Sequence, residues 1–124
     1  LCYAGNDSLC KRGCGMKHDA IFLTHILTRC RKILSVTEVM TYEEFADNQD
    51  VQDIVIRSFE IIGEATTHIS DEFKNCHSEV PWREMKQFRN VLIHQYFRLD
   101  VKQVWAVSRN DIPEIAGLIG KLLE

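Results

Sequence analysis

Between Lys17 and Met40 the apolar residues Phe22, Ile26, Ile33, Val36 and Met40 recur at three- and four-residue steps, with Leu23, Leu27, Cys30 and Leu34 widening the stripe. That period is helical and predicts one long amphipathic helix. Thr41 followed three residues later by Glu44 has the form of a capping box, so a short helix should open there and end near Asp47. Val51, Val55, Ile62, Ala65, Ile69 and Phe73 keep the same period and predict a second long helix, lost between Asn75 and Val80. Gly63, flanked by Ile61, Ile62 and Ala65, is expected to let another helix approach closely.

Pro81 and Trp82 open a third main helix, since proline at a first-turn position loses no hydrogen bond. Met85, Phe88, Val91 and Leu92 form its expected buried side. Asp100 with Gln103 resembles another cap, leading into a face of Val101, Val104, Trp105 and Ser108. Asp111 to Pro113 should interrupt or restart that helix, and Ile115, Ile119 and Leu122 carry the stripe onward. Strand alternation, internal repeats and low-complexity linkers are absent from the pattern. The expected fold is all-α, an antiparallel, up-and-down bundle of four to five helices.

Composition sharpens this picture. The 124 residues, 45% of them apolar, suit a single domain with a real core. The longest apolar runs are too short to cross a bilayer, and nothing at the start reads as a secretory signal. A cytoplasmic location is the expectation. Five cysteines are scattered along the chain, three of them in the first fifteen residues. Cys10, Cys14 and His18 recur every four residues, with Cys2 as a fourth candidate zinc ligand. Gly13 and Gly15 and the missing two-residue cysteine spacing oppose that site.

The net charge of −3 excludes a broadly basic, nonspecific nucleic-acid binder. Charge is unevenly spread, however. Arg83, Lys86, Arg89, Arg98 and Lys102 against Glu84 and Asp100 leave a local balance of +3, and the remainder carries −6. An anionic ligand belongs near this segment.

Within it, the run Arg89 to Tyr96 concentrates functional side chains. At about 100° per residue, Arg89 and Tyr96 nearly coincide around a helix, while Asn90 and His94 lie one turn apart on a neighbouring strip. Arginine offers a permanently charged planar fork for a phosphate. Histidine gives or takes a proton near neutrality. Together they suffice to cleave RNA by 2′-hydroxyl attack, with arginine stabilising charge on the pentacoordinate phosphate and Asn90 orienting either partner. One histidine cannot be acid and base in the same step, so water or a second protomer must supply the other role. His18, His25, His68 and His77 show no partner at useful spacing and read as surface or satisfied helix residues.

Arg89, His94 and Tyr96 match an Arg-x4-His-x-Tyr motif, and the chain thereby resembles the HepT-like toxin branch of the HEPN superfamily. Ile61 to Ala65 (Ile-Ile-Gly-Glu-Ala), Pro81-Trp82, Arg89-Asn90, Asp100, Trp105 and Pro113 resemble that branch in order and spacing, over about residues 16–124. Residues 1–15 depart from it and are expected to be a disordered or appended leader, with Met16 as the natural start.

The resemblance implies a homodimeric toxin ribonuclease, acting without a metal or cofactor, in which Arg89 and His94 are catalytic and Asn90 supports them. It further implies a minimal nucleotidyltransferase antitoxin that uses ATP and Mg2+ to transfer AMP onto Tyr96. An adenylated phenol there would place an anion where the RNA phosphate must sit. The alternative is a non-catalytic nucleotide- or partner-binding subunit of a nucleotidyltransferase complex. His94 beside Arg89 favours the enzyme.

Overall fold

The computed structural model describes residues 16–94 and 100–124, without the side chains of Met16, Lys17 and Asn90 to His94. The expected leader, with Cys2, Cys10 and Cys14 of the zinc reading, lies outside the described residues, as does Tyr96. Every regular element described is helical: α1 (Met16–Thr37), α2 (Tyr42–Ala46), α3 (Gln49–Thr67), α4 (Asp71–Cys76), α5 (Trp82–His94), α6 (Val101–Ala106) and α7 (Ile112–Leu122). Four long rods carry the bundle, the last formed by α6 and α7 joined through a π-helical turn at Val107–Asp111. The two short helices α2 and α4 fill connections. None of the helices described is long and apolar enough to cross a membrane.

The caps act where their spacing places them. Thr41 Oγ1 accepts from the Glu44 amide at 3.2 Å and Glu44 Oε1 accepts from the Thr41 amide at 2.9 Å, closing the box that starts α2. Asp100 Oδ1 accepts from the Gln103 amide at 3.2 Å and opens α6. Each such cap satisfies an amide that the helix itself leaves unpaired. The interruption expected near Pro113 takes the form of the π turn. It passes the chain into α7 with the proline in its first turn, where a missing N–H costs nothing.

One expectation needs correction. The stripe from Val51 to Phe73 is not a single helix, because α3 ends at Thr67 and Ser70 caps a separate α4. Hydrophobic period hides the break, since Ile69 and Phe73 are both buried. A contact 51 residues distant fixes it: Asp19, buried at the start of α1, accepts from the Ser70 amide at 2.9 Å and the Ser70 hydroxyl at 2.8 Å. Both are the hydrogen bonds of a buried charged acceptor, which removal would leave unmade at a cost of roughly 1–3 kcal/mol.

The core joins Leu23, Ile26, Cys30 and Ile33 of α1 to Val55, Phe59 and Ile62 of α3, Met85 of α5, and Ile112, Ile115 and Ile119 of α7. α3 lies between α1 and α5, and α1 packs on its other side against α7. Since the start of α1 meets the end of α3 at Asp19 and Ser70, these two helices run antiparallel. Near the opposite end, the Arg109 guanidinium reaches the Thr37 hydroxyl at 3.5 Å and ties α1 to the π turn.

Candidate active site

α5 runs unbroken from Trp82 through His94, so the helical continuity that places Asn90 and His94 one turn apart is present. Its start is anchored by Trp82, whose ring N–H donates to the His77 carbonyl at 2.9 Å. Phe88 stacks on Phe59 of α3 with ring centroids 5.2 Å apart, fixing the rotation of α5 about its axis. The side chains of Asn90 and His94 are outside what is described, and so is Tyr96.

Arg89 emerges where Gly63 lets α3 and α5 approach closely. A Cβ added to Gly63 would stand 2.7 Å from the Arg89 Cβ, 3.0 Å from its amide nitrogen and 3.3 Å from the Lys86 carbonyl oxygen. The absent side chain at Gly63 is therefore what lets the two backbones meet at this residue. The neighbouring Glu64 takes up the guanidinium in a hydrogen-bonded ion pair. Both side chains are about half exposed, 46% for Arg89 and 52% for Glu64. An exposed pair of this kind contributes only about 0–1 kcal/mol, so a phosphate could exchange with the carboxylate.

Glu64 has a second partner. Its other oxygen lies 3.2 Å from Nε2 of His68, four residues on and capping the end of α3. His68 in turn stacks on Phe22 of α1, centroids 4.9 Å apart and planes 17° from parallel. His25, one turn along α1, meets the same Phe22 edge-on at 6.0 Å. These groups and Arg89 line one cavity of about 450 Å³ with an apolar floor of Ile61 and Ala65. Arg57 and Glu60, paired at 3.5 Å, complete its rim.

His25 and His68 are surface residues, as expected, but the expectation that they have no partner at useful spacing does not hold: His68 meets Glu64, both meet Phe22, and both line the cavity that holds Arg89. The spacing of Glu64 and His68 on one helix was a usable signal, since residues four apart are neighbours. Their meeting with Phe22 across α1 was not legible locally. His77, by contrast, is satisfied, with its ring 4.5 Å from that of Phe73 and Nδ1 3.5 Å from Glu79. The local charge picture also changes, because Arg89 and Arg57 each have a carboxylate partner and the cavity is balanced rather than basic. Among the described residues, no group of three His, Cys, Asp or Glu side chains is placed to hold a metal ion.

A family model described as ribonuclease HepT-like matches residues 26–122, which takes in α5 and most of the cavity. The chain belongs to the ribonuclease HepT-like family. Over 101 residues it is 41% identical to a Thermococcus cleftensis protein named "Probable ribonuclease HepT", covering 82% of this chain and 92% of that one. It is 39% identical over 94 residues to the Methanocaldococcus jannaschii "Putative RNase MJ1380", with 76% and 86% covered. A Caldanaerobacter subterraneus subsp. tengcongensis relative, "Putative RNase TTE0752", is 33% identical over 109 residues, with 88% and 97% covered. No solved structure matches the chain. For this HepT-like chain, the family agrees with the resemblance drawn from its sequence and with the ribonuclease class expected of it.

Proposed function

We propose that this HepT-like protein is the toxin ribonuclease of a toxin-antitoxin pair, cutting RNA by transphosphorylation without a metal at a site built on Arg89 and His94. The observation that carries the reading is Arg89 itself, half exposed at a cavity and held by a carboxylate that a phosphate can replace. The 2′-hydroxyl attacks the adjacent phosphorus, the bond to the 5′-oxygen breaks, and a 2′,3′-cyclic phosphate and a free 5′-hydroxyl result. Arg89 stabilises the added charge on the phosphorane oxygens, His94 moves a proton at the attacking or leaving oxygen, and Asn90 orients one of them.

Arg89 and His94 are five positions apart, so about 140° of rotation and about 7.5 Å of rise lie between them on α5. That separation supports a homodimer in which a phosphate meets the arginine and histidine of different protomers, and in which two histidines share the acid and base roles. Tyr96 is the proposed acceptor of AMP, transferred by a minimal nucleotidyltransferase antitoxin with ATP and Mg2+. The modification would silence the site by charge and bulk. The pair would act in the cytoplasm.

Expression of the wild type should arrest growth and degrade RNA, and Arg89→Ala or His94→Ala should abolish both effects. A harmless wild type that leaves RNA intact contradicts the ribonuclease reading. Intact mass after incubation with the antitoxin and ATP should rise by an AMP unit, and a rise that survives Tyr96→Phe contradicts the acceptor assignment.

A further inference from the structure

We propose that the cavity beside Arg89 is a nucleobase subsite, which takes the base of a single-stranded ribonucleotide whose phosphate lies on that arginine. The inference rests on the ribonuclease reading for its substrate class, but on different residues for its recognition.

Three features carry it. First, the cavity presents rings at fixed angles: Phe22 is partly buried and packed on the core, His68 lies parallel to it at 4.9 Å, and His25 stands edge-on at 6.0 Å. Aromatic and imidazole faces are the surfaces on which unpaired bases stack, and stacking of this kind tolerates any base. Second, the surface is set before a ligand arrives. His68 is held on one side by Phe22 and at Nε2 by Glu64, and is still about half exposed at 51%. A ring already ordered loses less freedom on binding. Third, the volume of about 450 Å³ falls within the range of small-ligand sites, roughly 300–1,000 Å³, and Arg89 opens onto the same space. A base could lie against the rings while the phosphate of the same nucleotide displaces Glu64 from the guanidinium.

A paired base is already stacked within its helix and cannot enter. The subsite therefore selects single strands, loops or ends. It also assigns Glu64 two states, bridging Arg89 and His68 when the site is empty and released toward His68 when a phosphate is bound.

The full-length protein can be titrated with AMP, GMP, CMP and UMP while the ring C–H resonances of its histidines are followed by NMR, with ribose 5-phosphate as the base-free probe. The nucleotides should move the His25 and His68 signals and leave His77 still, and ribose 5-phosphate should not reproduce the pattern. Phe22→Leu, which keeps an apolar side chain against the core but removes the ring that holds the face of His68, should weaken AMP by up to about tenfold, the scale of one lost base stack. His68→Ala, at an exposed position, should do the same without disturbing the fold. On a cleaved oligoribonucleotide both variants should raise KM while kcat stays within about twofold of wild type, again because a stack and not a proton transfer is lost. Nucleotides that act no differently from ribose 5-phosphate, or AMP binding unchanged in both variants, overturn the subsite. RNA cut by a wild type whose His25 and His68 signals ignore nucleotides overturns the subsite alone and leaves the ribonuclease reading in place.

Discussion

Glu64 is the residue on which the site turns, because one carboxylate holds both a guanidinium and an imidazole. While it holds Arg89 it competes with any phosphate for the same fork of donors. Replacing it by glutamine keeps the size and some hydrogen bonding but removes the charge. Glu64→Gln should therefore tighten binding of a single-stranded oligoribonucleotide, by up to about fivefold, which corresponds to the 0–1 kcal/mol scale of an exposed ion pair. Fluorescence anisotropy at fixed salt measures it, and an unchanged or weakened Kd would show that Glu64 does not compete. Stability should hardly change, since the pair it loses is half exposed.

At the scale of elements, the site depends on how closely α3 and α5 approach. Gly63 sits against backbone as well as side-chain atoms of α5, so neither neighbour can simply swing away from a methyl group. Gly63→Ala should push the helices apart, cost about 1–3 kcal/mol of stability, and carry Arg89 out of register with the cavity. A lower urea midpoint together with reduced cleavage is the expected outcome. A variant as stable and active as the wild type would mean that α5 tolerates displacement at this point. The opposite wall of the cavity is set by α1, whose start is locked to the turn before α4 through Asp19 and Ser70. That lock places Phe22 and His25 opposite His68, three residues on the first helix and the end of the third brought to one ring cluster.

Across the whole molecule, Cys30 reports on the integrity of the core. It is a free thiol, fully buried on α1, and desolvation pushes its pKa from 9.0 up to about 12. In the unfolded chain the thiol ionises first, so the unfolded state binds fewer protons between those two values. The stability this group contributes is complete below about pH 9 and declines as pH rises toward 12. By pH 10 the wild type should have lost about 1 kcal/mol through this group, one pH unit beyond the unfolded value being worth roughly 1.4 kcal/mol. Urea midpoints at pH 8 and pH 10 should fall further for the wild type than for Cys30→Ala, and equal declines in the two proteins would refute the assignment.

What the sequence determined by itself is local. The caps, the helical stripes and the proline start of α5 all follow from residues within a turn or two of each other. Even the close approach at Gly63 was legible, because a glycine amid apolar helix residues has few other uses, and the Arg-x4-His-x-Tyr spacing located the motif. Tertiary structure decided what those elements meet. The break between α3 and α4 depends on a carboxylate 51 residues away, which no periodicity reveals while the stripe continues through Ile69 and Phe73. The pairing of Arg89 with Glu64, and the gathering of Phe22, His25 and His68 beside it, likewise join residues from separate helices. Spacing along a chain fixes which side chains share one helix face. Which faces oppose each other is settled only when the core packs, and there the cavity beside Arg89 is made.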